Sequence, residues 1–175
     1  MARLQDIRIR AFVDTDTEKI IEIYRKAFAE PPWNETWTKE QVLEDLSLAF
    51  SKKNPLVLVA QAPPSQLVGF TWGYETPFDE FPFLQGKVRG NCVYMDEIAV
   101  DPAFRQEGVG RSLCAGLFVE SVKAGFDEMV LRTDENNTAS ITLFSSVGFV
   151  SLGNIDPNYP TRPYMRRNLE ASLRG

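Results

Sequence analysis

Two adjacent carboxylates, Asp96 and Glu97, precede two closely spaced glycines, Gly108 and Gly110, in the stretch DEIAVDPAFRQEGVGRSL. A carboxylate has an ordinary pKa near 4 and becomes a useful base for an ammonium only when burial or a water relay assists it. Glycines at a strand-to-helix junction have two uses. They accept backbone angles that other residues avoid, and they let a ligand approach the bare N–H groups of a helix start. With the positive end of the helix dipole behind them, those N–H groups suit phosphate.

The chain has 175 residues and no histidine. That removes Ser-His-Asp and Cys-His nucleophiles, the common zinc and non-haem iron sites, and histidine bases. No metal is expected, and acid–base work falls to carboxylates, tyrosine, lysine or water. Cys92 and Cys114 lie in apolar surroundings without ligand spacing and read as buried thiols. A formal charge of −5 opposes nucleic-acid binding and suits a cationic small molecule better. Apolar runs such as PLVLVA are too short to span a membrane, and MARLQDIRIR lacks the apolar core of a signal peptide. A cytoplasmic protein with no membrane partner is expected. With 43% hydrophobic and 25% charged residues, the composition is that of one globular domain over 1–175.

The elements that would position these residues follow from periodicity. IRIRAF alternates as a strand, and DTDTEKIIEIYRKAFAE reads as a helix capped at Asp14 or Thr15. Thr38 and Gln41 form a capping-box pattern that opens a second helix to about Phe50. PLVLVAQA and QLVGFTWGYE read as a hairpin across PPS, and residues 76–91 as a loop. CVYMDEIAV is a strand and the glycine turn leads into a helix ended by Gly125. EMVLRTD, NTASITLFSSV, FVSLG and PYMRRNL then read as strand, helix, strand and strand. The order predicts an α/β protein with a mixed sheet covered by helices on both faces.

Three readings compete for Arg105-Gln106-Glu107-Gly108-Val109-Gly110. A dinucleotide fingerprint needs a glycine where Leu113 stands, and a nucleotide P-loop needs Lys then Ser or Thr after its last glycine; both patterns are absent. The segment resembles the Q/R-x-x-G-x-G/A signature of the GNAT superfamily of N-acetyltransferases, after a strand ending AVDP. NTASITLFSSVGF is similar to that family's second segment through Asn137, Phe144, Gly148 and Phe149. The resemblance extends to the order of elements along essentially the whole chain. It implies a central, mostly antiparallel sheet of about seven strands with one parallel, splayed pair.

The resemblance also implies a site. The pyrophosphate of acetyl-CoA would lie on Arg105, Gln106, Glu107, Gly108, Val109, Gly110, Arg111 and Ser112, with Arg105 and Arg111 adding charge. Glu107 departs from the basic residue that many relatives carry near it. The backbone around Ile98 and Val100 would pair with the pantetheine arm, and an N–H near Val100 would polarise the thioester carbonyl. Asn137 and Phe144 would complete the cofactor wall. Several branches place a catalytic group at positions matching Tyr94 or Asp96, so Asp96 is the favoured base, with Glu97 second and Tyr94 a further candidate. Strict alternation along a strand would put Asp96 and Glu97 on opposite faces. Many relatives have a tyrosine acid where Phe144 stands, and Phe144 cannot donate a proton.

Trp33, Trp37, Trp72 and Glu75 would form an aromatic and acidic wall for a cationic acceptor amine, on a small molecule or a peptide. Exposed edge strands and the C-terminal hairpin are compatible with a homodimer. Two functions fit: an acetyl-CoA-dependent N-acetyltransferase working in a ternary complex, or an idle acyl-CoA-binding or sensory domain on the same fold.

Overall fold

In the computed structural model, which describes residues 6–169, alternating apolar positions build one seven-stranded sheet. Its strands are β1 (Arg8–Ala11), β2 (Leu56–Ala62), β3 (Gln66–Glu75), β4 (Cys92–Val100), β5 (Glu128–Arg132), β6 (Val150–Gly153) and β7 (Tyr164–Asn168). They lie in the order β1-β2-β3-β4-β5-β7-β6. Only β4 and β5 run parallel; every other neighbouring pair is antiparallel.

Helices α1 (Thr17–Ala29) and α2 (Lys39–Ser51) cover one face, and α3 (Val109–Lys123) and α4 (Thr138–Ser146) the other. Ile20, Ile23 and Tyr24 of α1 and Val42 and Leu46 of α2 are buried against Phe70 and Trp72 of β3. Leu117 and Phe118 of α3 meet Met129, Leu131 and Met165 behind the sheet. Burying each large side chain of this kind contributes about 1.5–3 kcal/mol before ordering costs. Among the described residues no helix is long and apolar enough to cross a membrane.

Most element boundaries agree with the periodicity. Thr38 and Gln41 form the expected reciprocal box, with Gln41 N–H donating to Thr38 Oγ1 at 3.1 Å and Thr38 N–H to Gln41 Oε1 at 2.9 Å. The start of α1 differs. Residues Asp14–Asp16 form a 3-10 turn, and α1 begins at Thr17. The Asp16 carboxylate is held by Arg10 through two 2.8 Å bonds and accepts the Val13 N–H at 2.9 Å, so it fixes the approach to the helix.

Candidate active site

The splay between the parallel strands is read from their pairing. β4 follows β3 as far as Val100, opposite Gly69, but follows β5 only from Cys92 to Met95, opposite Leu131. Beyond Met95 the two strands part. Asp101 N–H donates to Val68 O at 2.8 Å, and Glu97 O accepts from Thr71 Oγ1 at 2.7 Å, so the backbone groups of these residues face β3. Antiparallel ladders alternate in direction, which turns the N–H and C=O groups of Ile98 and Val100 into the gap. Such an edge can take an extended ligand as an added strand.

At the gap the expected alternation fails. Trp72 pairs with Glu97 and Gly73 with Met95, which leaves Asp96 as the extra residue of a β-bulge. Before the bulge Tyr94 faces α1 and α2; after it Ala99 does, while Ile98 and Val100 face the α3 side. Asp96 and Glu97 are therefore on the same side, not opposite sides, and both line one cavity of about 320 Å³. Gly73 makes the bulge sterically feasible, since a Cβ there would lie 2.7 Å from Tyr94 O.

Burial and like charge shape the electrostatics of the cavity. Asp96 Oδ2 accepts from Trp72 Nε1 at 3.2 Å. Burial, and then Asp45, push the Asp96 carboxyl up to about 6, against the opposing pull of Trp72, Tyr74 and Arg132. Burial first, then Asp96, Asp45 and Glu35, hold the Glu97 carboxyl well above its usual range. Asp45 accepts the Tyr24 hydroxyl at 2.7 Å and is still raised by burial. Tyr94, 4% exposed, is held protonated mainly by its burial. Among the described residues no group of three or more histidine, cysteine or carboxylate side chains could hold a metal ion. Both cysteines are buried, with thiols pushed up to about 12, which leaves them poor nucleophiles.

The opposite wall comes from β5 and the segment before β7. Arg132, half-buried at the end of β5, lies over the Tyr159 ring at 4.1 Å. Arg162 lies over the same ring at 5.2 Å and over Trp33 at 5.8 Å. Arg132, Arg162, Glu35, Tyr24 and Asp45 all line the cavity, and the sequence reading singled out none of them. Asp45 carries a faint signal: it is a charge on the helical stripe of Val42, Leu46 and Ala49. Arg132 carries another, as a charge at the core-facing position after Val130.

The glycine turn opens α3. Gln106 (φ 61°) and Gly108 (φ 81°) have left-handed backbones, and Gly108 immediately precedes the first helical residue. The first intrahelical bond is Ser112 N–H to Gly108 O at 3.0 Å, which leaves the N–H groups of Val109, Gly110 and Arg111 without a carbonyl inside the helix. Gly110 also answers to packing, because a Cβ there would lie 3.0 Å from Leu143 Cδ2 of α4. Arg105 pairs with Glu30, and Arg111 Nη1 donates to Ser146 Oγ at 2.7 Å. Both arginines thus flank the turn while engaged by protein partners. Glu107 is half-buried in the turn. Asn137 Oδ1 caps α4 by accepting the Ser140 N–H at 3.1 Å, and Phe144 packs edge-on to Phe149; Asn137 and Phe144 line the cavity.

The expected acceptor wall is half present. Trp33 and Trp37 line the cavity. Trp72 does not: it is 0% exposed, stacked on Phe70 at 5.0 Å, and reaches the site only through its bond to Asp96. Glu75 is also outside, at the far end of β3, where it accepts from Asn54 Nδ2 at 2.8 Å.

A free strand edge, a glycine-opened helix start and a cavity with raised carboxylates are parts suited to holding a phosphate-bearing acyl thioester beside an amine. The family model described as the acetyltransferase (GNAT) family matches residues 17–149, and the chain belongs to that family. It is 31% identical over 150 residues to the mycothiol acetyltransferase of Salinispora tropica, covering 82% of this chain and 44% of that protein. The mycothiol acetyltransferase of Thermobispora bispora is 30% identical over 156 residues, covering 83% and 47%. The chain thus spans about half the length of these curated relatives. Its fold matches the PaiA N-acetyltransferase of Thermoplasma acidophilum in complex with coenzyme A, with TM-score 0.69, 20% identity and coverage of 93% and 98%. A GCN5-related N-acetyltransferase from Kribbella flavida also has TM-score 0.69, with 21% identity and coverage of 94% and 98%.

Proposed function

We propose that the chain transfers an acetyl group from acetyl-CoA to a primary amine of a small molecule or short peptide by direct attack in a ternary complex. The observation that carries this reading is the parting of β4 from β5 after Met95, which opens a backbone edge directly beside Asp96 and Glu97. The bare N–H groups from Val109 to Arg111 would hold the pyrophosphate, with Gln106, Gly108 and Ser112 shaping the turn. The gap along Ile98 and Val100 would take the extended arm, and Phe144 and Asn137 would wall it. No cysteine here is suited to a covalent relay, which leaves direct attack.

In the transfer, the amine nitrogen bonds to the thioester carbonyl carbon and the carbon–sulfur bond breaks. The carbonyl oxygen bears the charge in between, and a gap-facing N–H such as that of Val100 would stabilise it. The ammonium first gives one proton to Asp96, directly or through water, which frees the amine to attack; the second nitrogen proton is lost to solvent as the amide forms. The thiolate leaves and takes its proton from water, since a thiol pKa near 8.5 makes it a tolerable leaving group without help from Phe144. The carboxylates of Asp45 and Asp96 favour an acceptor that arrives as an ammonium ion, and Trp33 and Trp37 add aromatic faces.

Calorimetry with acetyl-CoA, followed by thiol release and product mass on an amine panel, tests the reading. Binding with amine-dependent release of CoA and an N-acetyl product is expected. Binding without release on any amine would instead support an idle acyl-CoA-binding domain.

A further inference from the structure

The cavity is divided by charge. Asp45, Asp96 and Glu97 occupy the α2 and β4 side, while Arg132 and Arg162 occupy the side built by β5 and residues 154–163. Among the described residues neither arginine makes an ion pair. This holds even though Arg132 stands one strand from Asp96 and lowers its pKa from a distance. Instead the two guanidiniums gather on one ring, that of Tyr159, at 4.1 and 5.2 Å. Two cations beside one ring with no carboxylate paired to either favour an anion between them.

The arrangement is held in place. Arg162 N–H donates to Tyr159 O at 3.1 Å, Thr133 N–H to Pro163 O at 3.0 Å, and Glu135 N–H to Thr161 O at 3.0 Å. Asp156 Oδ1 accepts the Asn158 N–H at 2.9 Å, and Asn154 Nδ2 donates to Pro160 O at 2.6 Å. A guanidinium over an aromatic ring keeps N–H donors for an acceptor, and a carboxylate can match two of them at once. Beside Arg132, the hydroxyl of fully buried Tyr164 makes no hydrogen bond of good geometry.

We infer that the acceptor carries a carboxylate as well as its amine: it belongs to the amino acids and short peptides, with Arg132 and Arg162 as the residues that select the carboxylate. The inference rests on the proposed function only for which end of the acceptor reacts. The ammonium lies against Asp96 and Asp45, and the carboxylate meets the guanidiniums on the other side of the cavity.

Calorimetry in the presence of CoA separates the two claims, because it reads binding without turnover. The ligands are amino acids of several side-chain types, their carboxamides, a diamine and phosphoethanolamine, tested on the full chain. At least one amino acid should bind about tenfold or more tightly than its own carboxamide, since a charge-assisted pair is worth more than a neutral one. Arg132→Gln and Arg162→Gln should each pull that ratio toward one. The ligand comparison on the unaltered chain needs neither variant. Equal binding of acid and carboxamide, or tighter binding of the diamine or phosphoethanolamine, would overturn the inference. Carboxylate-selective binding with no acetyl transfer to any amine would overturn the proposed function and leave this one standing.

Discussion

Asp96 concentrates the chemistry and the cost of the site in one side chain. Its carboxyl, pushed up to about 6 by burial and by Asp45, is protonated below that pH and ionised above it. Activity limited by this base should rise with pH through about 6 and then level until other groups intervene. Asp96→Asn should lower kcat/KM at pH 7.5 by about a hundredfold or more and erase that acid limb, as loss of a general base does. A rate and pH profile unchanged by the substitution would remove Asp96 from the mechanism. Stability should move the other way. The raised carboxyl favours the folded state fully below the unfolded pKa near 4, and this advantage is lost as pH rises through the folded value. Asp96→Asn should therefore unfold at a higher temperature than the parent at pH 7.5, with the difference shrinking toward pH 4; thermal melts at the two pH values check this.

At the scale of elements, the bulge in β4 decides which residues meet. Periodicity predicts the strand and its length, because those depend on runs of apolar residues that the local pattern displays, whereas its parallel, splayed neighbour was implied only by the family resemblance. A single extra residue shifts every later side chain to the other face, and nothing in CVYMDEIAV announces it. The one outward sign is across the ladder, where Gly73 gives the bulged strand room. Gly73→Ala should cost about 1–3 kcal/mol by overpacking against Tyr94 O and Val93, and should also reduce activity by shifting Asp96. Denaturant unfolding and kcat/KM measured on the same variant test both effects; full activity in a destabilised variant would separate the bulge from catalysis. The glycine turn was legible for a related reason, since positive φ at Gly108 is a demand that few other residues meet. Tyr24, Asp45, Arg132 and Arg162 were not, because four distant segments supply them and the sheet alone brings them together. Trp72 and Glu75 do not line the cavity, because both lie on β3, where one side chain enters the core and the other passes beyond it.

For the molecule as a whole, the gap between β4 and β5 is a seam in an otherwise continuous sheet. Backbone groups of Ile98 and Val100 turned into that gap have lost strand partners that an extended ligand would supply. The strands on both sides of the seam also reach both helical layers: Tyr94 and Ala99 of β4 and Val130 of β5 pack toward α1 and α2, while Ile98 of β4 and Met129 and Leu131 of β5 pack toward α3. Occupation by acetyl-CoA should therefore stabilise the whole sheet. A ligand that binds only the folded state contributes about 2.7 kcal/mol at a hundred times its Kd. For a chain of this size that corresponds to a rise in Tm of about 5–11 °C. Hydrogen exchange should localise the gain, with slowing at Ile98 and Val100 exceeding that in β1 and β2. A rise in Tm without added protection at these two amides would place the ligand elsewhere, since pairing along the β4 edge is the contact that would protect them.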